Sequence, residues 1–245
     1  MWVFLSLPGR AQATMRDRAM VTAVEGIRHY RAGRDRIIEH TVAKVQEFFE
    51  VSVGYREDDL NWNIAGNTAG TNPNILSELT WEDLQSLQLK MKGAGTAYEH
   101  LYVRTLCAAG WILDGENQDS DYLSDNRAGE FSRSNNASDD GWTLDGSLGL
   151  GLQFRFLSDT LQVAPLGGYS IHWQRLTMTE GSQTLGGTLG PIHGLDSTYN
   201  AEWLGPWAGV DATYQPAPTF SLYGTLEYHW ADYEAEANWN LRTDL

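Results

Sequence analysis

The chain has a single cysteine, Cys107, only three lysines, and no apolar run as long as the roughly 18 residues a membrane-crossing helix needs. The lone thiol excludes an intrachain disulfide and a thiolate metal cluster, and is read as a buried, inert side chain. The histidines show no metal-ligand spacing, so neither metal nor cofactor is expected. The missing apolar run excludes a helical membrane span but not a membrane sheet, whose strands are apolar only at every second residue. A mean hydropathy of −0.40 therefore leaves both environments open.

Charge and aromatic residues are what the sequence does have. The formal charge of −15 is unevenly placed: residues 1–45 carry eight basic and four acidic side chains, the remainder nine and twenty-eight. An acidic body repels nucleic acid, which is excluded as a partner, and suits cationic peptides or host surface proteins with basic patches. Ten Trp and eleven Tyr are rings of the kind favoured where lipid meets water.

Residues 1–45 read as a short helical segment distinct from the rest. Ala19, Val21, Val24 and Ile27 fall at helical spacing among Arg16, Arg18, Arg28 and Arg31. The apolar opening followed by Ala11-Gln12-Ala13 has the outline of a secretory signal with its cleavage site, although the stretch is short and no basic residue precedes it. A clipped signal, a displaced start and a genuine helix all stay open.

From 46 to 245 the period is two. In 142–156, Trp142, Leu144, Leu148, Leu150, Leu152, Phe154 and Phe156 share one parity, and Thr143, Asp145, Ser147, Gly149, Gly151, Gln153 and Arg155 the other. Strand side chains point alternately to opposite faces, so this segment has one apolar and one polar face. The same alternation marks strands at 49–55, 75–89, 101–111, 161–173, 199–214 and 220–230, with Leu76, Asp83 and Leu84 breaking the second. On the polar faces, His100, Arg104, Arg155, His172, Glu227 and His229 are expected to meet as a hydrogen-bonded plug. Tyr102, Tyr223 and Arg155 argue for a filled interior rather than a pore.

Connections at 93–97, 157–160 and 215–219 are short; those at 65–73, 113–140 and 178–197 are long. Tight turns on one side and long loops on the other are the pattern of outer-membrane barrels. The expected fold is all-β: an antiparallel up-and-down transmembrane β-barrel of about seven strands in a bacterial outer membrane, facing lipid and lipopolysaccharide. Such barrels close on an even count, so seven strands read as an incomplete one.

Several runs resemble the central strands of omptins: Pro165-Leu166-Gly167-Gly168-Tyr169-Ser170, the stretch from Trp203 to Val210, the strand 220–230, Leu79-Thr80-Trp81, and Ala108-Ala109-Gly110-Trp111 before an acidic loop. The likeness spans roughly the first seven of the ten strands in that family of outer-membrane proteases and adhesins. It implies that Asp119 and Asp121 stand where omptins carry the acidic half of a catalytic site, whose other half is an Asp-x-His pair. Two close carboxylates do not both ionise cheaply, so one can hold a proton while the other acts as base. A solvated acidic loop is the plainer alternative. The sequence departs from the family in having no Asp-x-His after the seventh strand and no Glu within 65–73 for a substrate arginine. The expectation is therefore a non-enzymatic surface barrel, adhesive or structural, with an omptin-like aspartic-type endopeptidase cleaving next to basic residues as the alternative.

Overall fold

The computed structural model describes residues 13–15, 46–98 and 100–242, which form strands and turns without a helix. The strands are β1 Ala13–Met15, β2 Gln46–Ile64, β3 Ser77–Ala97, β4 Leu101–Ser124, β5 Ala128–Ala137, β6 Gly141–Leu152, β7 Phe154–Phe156, β8 Leu161–Leu185, β9 Gly190–Pro191, β10 Asp196–Ala217, β11 Phe220–His229 and β12 Asp232–Asn238. All belong to one sheet, and every pairing is antiparallel. β5, β6 and β7 are one traverse broken at 138–140 and Gln153, while β11 and β12 are another, broken at Trp230 and Ala231. Among the described residues the meander therefore makes seven long passes. The helical expectation for residues 1–45 lies outside the described residues except at Ala13–Met15. There it is corrected: Ala13 to Met15 pair with Trp62 to Leu60 as an edge strand. Three residues cannot repay helix nucleation, whereas a ready-made strand edge offers ladder bonds at once.

Two expected loops are strand. Residues 113–140 form a hairpin of β4 and β5 whose tip is closed by Ala128 N–H donating to the Asp125 carbonyl at 3.3 Å. Asn126 and Arg127 both take positive φ there, as a two-residue hairpin turn requires. The sequence hides this hairpin because Asn117, Gln118, Asp119 and Ser120 are polar on both faces, so no alternation shows. Likewise β8 runs on to Leu185, and 93–97 lies within β3 rather than in a turn.

The sheet curls strongly. Rings of Trp62 on β2 and Trp81 on β3 lie 5.9 and 5.0 Å from Tyr199 on β10, several strands away in the sheet order. Curvature is helped where inner-face positions lack side chains. Trp207 lies over Gly149 and Gly168, where a Cβ would come within 2.6 and 2.7 Å of its ring. No ladder among the described residues joins the free edge of β2 to β11 or β12.

On β2 alternation holds: Phe49, Val51, Val53 and Tyr55 point outward and Asp58 and Leu60 are buried inside, the register shift between them being taken up by an extra residue on β3. On β3 the shift between Glu82 and Gln85, with Asp83 at φ 53°, separates outward Leu87 and Met91 from inward Leu79 and Trp81. An extra residue in a strand turns every later side chain to the other face, which is why Asp83 and Leu84 defy simple alternation. The inward set joins Ile112, Leu176, Met178, Tyr199 and Trp203 in an apolar core at the long-hairpin end.

Candidate functional site

The turn-side part of the sheet has its apolar face outside. Val53 is 69% exposed, Leu150 55% and Leu226 74%, and they continue sideways into Leu148, Leu152, Phe154, Tyr169 and Leu222. Trp142 and Phe154, read as lipid-facing, are indeed exposed. Tyr55, Trp111, Trp142 and Trp173 rim this band toward the hairpins, and Tyr214, Phe156 and Phe220 rim it toward the turns. From Leu101 to Trp111 it spans about 33 Å along the strand, or about 25 Å at a barrel-like tilt. A contiguous apolar face of this extent is not a surface that water tolerates. Cys107 lies on it and is exposed, contrary to the expected buried thiol, because its parity is that of the outward residues.

The opposite face of the same strands is buried and polar. Arg104 on β4 donates to Asp211 Oδ1 at 2.6 Å and to Glu227, and its guanidinium sits 4.8 Å over the Trp207 ring. The Tyr102 hydroxyl donates to Asp211 Oδ2 at 2.8 Å, and Thr225 Oγ1 to Oδ1 at 3.0 Å. Glu227 Oε2 meets His229 Nε2 at 2.9 Å, and His229 Nδ1 meets Ser170 Oγ at 2.8 Å. A second network joins Arg56 to Asp58 and, at 2.7 Å, to Asp145, which holds His172 Nδ1 at 2.6 Å. These bonds tie β2, β4, β6, β8, β10 and β11 across the concave side. Buried charges persist only when paired, and here they are.

The expected plug is thus present for Arg104, Glu227, His229 and His172. Arg155 and His100 are exposed, with His100 bonded to the Gln153 carbonyl at 3.2 Å instead. Of the residues taken to fill the interior, Tyr102 is buried there, and Tyr223 lies on the same concave face with its hydroxyl accepting from Thr225 Oγ1 at 2.9 Å, although it is 59% exposed. Sequence reasoning passed over Arg56, Asp58 and Asp211. Their signal was a charge on the polar parity in mid-strand, where a soluble loop has no claim on it.

Asp119 and Asp121 lie on β4 in the hairpin, on one face of the strand, with Asp119 opposite Leu79 and Ser134 and Asp121 opposite Ser77 and Ser132. Both are partly buried. Burial, then the neighbouring Asp121 charge, push the Asp119 carboxyl up to about 6, against a smaller pull from Arg242. On the hairpin's other side Arg127 donates to Glu78 from Nε at 2.7 Å and from Nη2 at 2.5 Å, holding that carboxyl below its usual range. Among the described residues no group of His, Cys, Asp or Glu is arranged to hold a metal ion.

A curled antiparallel sheet with an apolar exterior band, aromatic rims and an ion-paired concave face defines the outer-membrane class of protein. Residues 50–245 match the family model of Protochlamydia outer membrane protein, and the chain belongs to that family of outer-membrane proteins. No curated protein and no solved structure matches it.

Proposed function

We propose that the chain acts as a non-enzymatic surface barrel, adhesive or structural, that presents its acidic hairpins outside the cell. The observation that carries this reading is the inverted sidedness: an exposed apolar band around a buried network of ion pairs. Lipid rewards such an arrangement and water penalises it. Beyond the band, β4 and β5 extend a hairpin bearing Asp125 and Glu130, with Asp139 and Asp140 in the break after β5, suited to cationic peptides or to basic patches on host surface proteins. Trypsin applied to intact cells is expected to cut at exposed Arg127 and leave Arg155, beside the turn at 157–160, uncut. Cleavage at Arg155 with Arg127 protected would reverse the orientation and defeat the reading.

Asp119 favours a second reading, an omptin-like endopeptidase, because a partly buried carboxyl that holds its proton up to about 6 with a second carboxyl, Asp121, two residues along the strand is suited to acid–base work. Turnover of dibasic peptides that is lost in both Asp119→Asn and Asp121→Asn would establish it. The surface-barrel reading expects no turnover.

A further inference from the structure

We infer that Ser170, on the concave face, is an acyl-acceptor site: its hydroxyl takes one acyl group from a small ester with a good leaving group. This goes beyond the surface reading, which concerns the hairpins and gives the concave face no chemistry. Ser170 Oγ lies 2.8 Å from His229 Nδ1, and the other ring nitrogen, Nε2, lies 2.9 Å from Glu227 Oε2. A carboxylate oxygen only accepts, so in the neutral ring Nε2 carries the hydrogen and Nδ1 offers its lone pair to the serine hydroxyl. Hydroxyl, base and orienting carboxylate, joined in that order, are the arrangement that activates a serine.

The sheet sets this up across three strands. Ser170 is on β8 and His229 on β11, with β10 between them, so the two backbones stand about 10 Å apart. Gly205, the partner of Ser170 on β10, puts no side chain in the way. The His229 ring stacks on Trp207 with centroids 5.8 Å apart, and Arg104 takes the remaining oxygen of Glu227. Trp207 is buried, and its Nε1 has no acceptor among the described residues, so a donor stands beside the pair for the negative oxygen of an addition step. Ser170 is partly exposed while His229 is buried, so a small ester meets the hydroxyl and not the ring. Its carbonyl carbon takes the Oγ electron pair as the hydroxyl proton passes to Nδ1. Collapse of the adduct breaks the bond to the leaving oxygen, which departs with that proton, giving an acyl-serine and an alcohol. Hydrolysis of the acyl-serine needs a water at Nδ1, and the buried ring with an acyl chain in front of it admits none. The acyl group therefore stays.

The test treats the full chain, refolded in detergent micelles, with p-nitrophenyl butyrate. The native chain should release a burst of about one p-nitrophenolate per chain and then fall to background. Mass spectrometry of the tryptic peptide 156–175 should place the butyryl group on Ser170. Ser170→Ala should lose the burst, and Ser147→Ala, at its cross-strand partner on β6, should keep it. His229→Gln should slow the burst about a hundredfold, the low end of what a general base contributes. Heat-dependent gel mobility checks that each variant is folded, and Ser170→Ala, which removes a single oxygen atom, decides the matter by itself. A full burst in Ser170→Ala, or an unslowed one in folded His229→Gln, overturns the assignment and leaves the surface reading standing. Release that continues at a steady rate and is lost in Ser170→Ala makes the chain a catalyst, and overturns the single-use acceptor and the non-enzymatic reading together.

Discussion

The two ends of this sheet obey opposite rules. On the turn side leucine, phenylalanine and valine face out and Arg104, Asp211 and Glu227 face in; on the hairpin side Leu60, Trp81 and Leu176 face in and the exterior turns acidic. The backbone ladder runs through both without interruption, so secondary structure does not set the difference. On β3 a bulge between Trp81 and Leu84 shifts the parity, while on β2, β8 and β10 the inner face keeps one phase and changes from polar to apolar by composition alone. The sheet thereby carries a water-type core stacked on a lipid-type core, each with the sidedness its solvent demands.

The sharpest way to break this contrast is to damage one end and watch the other. Trp81→Ala empties a fully buried site in the hairpin-side core and should cost about 3–5 kcal/mol. Amide exchange across β4 and β5 is expected to quicken strongly while β6 keeps its protection; equal loss at both ends would mean one undivided core. Next, Leu150→Arg places a cation in the middle of the outer band and should cost about 2–4 kcal/mol in a bilayer. Leu123→Arg, exposed at the hairpin, should stay within about 0.5 kcal/mol. Folding yield in vesicles, read by heat-dependent gel mobility, separates the two, and similar yields would erase the distinction between the ends.

The smallest effect concerns Asp119. Its folded pKa is raised from 3.8 to about 6, so its contribution to stability is fully present below pH 3.8 and is lost as pH rises through 6. Asp119→Asn should therefore gain on the order of 1 kcal/mol at pH 7, after discount for partial exposure, and nothing at pH 3.5. A thermal melt at the two pH values checks the sign. A gain at low pH instead would mean that the carboxylate, not the acid, is what the fold prefers.

The turn-side half was legible from alternation alone, since each strand there has one apolar and one polar face, and the residues of 142–156 point as their parity says. The hairpin side was not. Its strands are polar on both faces near Asn117 and Ser120, and its core residues Leu79 and Trp81 share the parity of outward Leu87, so a single phase cannot describe β3. The inner ion pairs were half legible: Arg104, Glu227, His229 and His172 stood out on polar faces, but their partners Asp211 and Asp145 lie far off in sequence. Long-range pairing of that kind depends on curl, which periodicity does not encode. The finer kinship with omptins was drawn from Gly, Trp and Tyr placements, residues that bending and interfacial anchoring place in any sheet of this class.

One feature of the topology constrains how such a sheet can be joined into a tube. β2 and the β11–β12 pass both ascend from the turn side to the hairpin side, so their bare edges share a heading and cannot be laced antiparallel to each other. An odd number of intervening segments would restore alternation, and the first must descend, as β1 already does beside Leu60 to Trp62. With none, or with two, the seam would contain one parallel ladder. The polarity of that seam is set by the direction of the outermost passes, before any side chain is consulted.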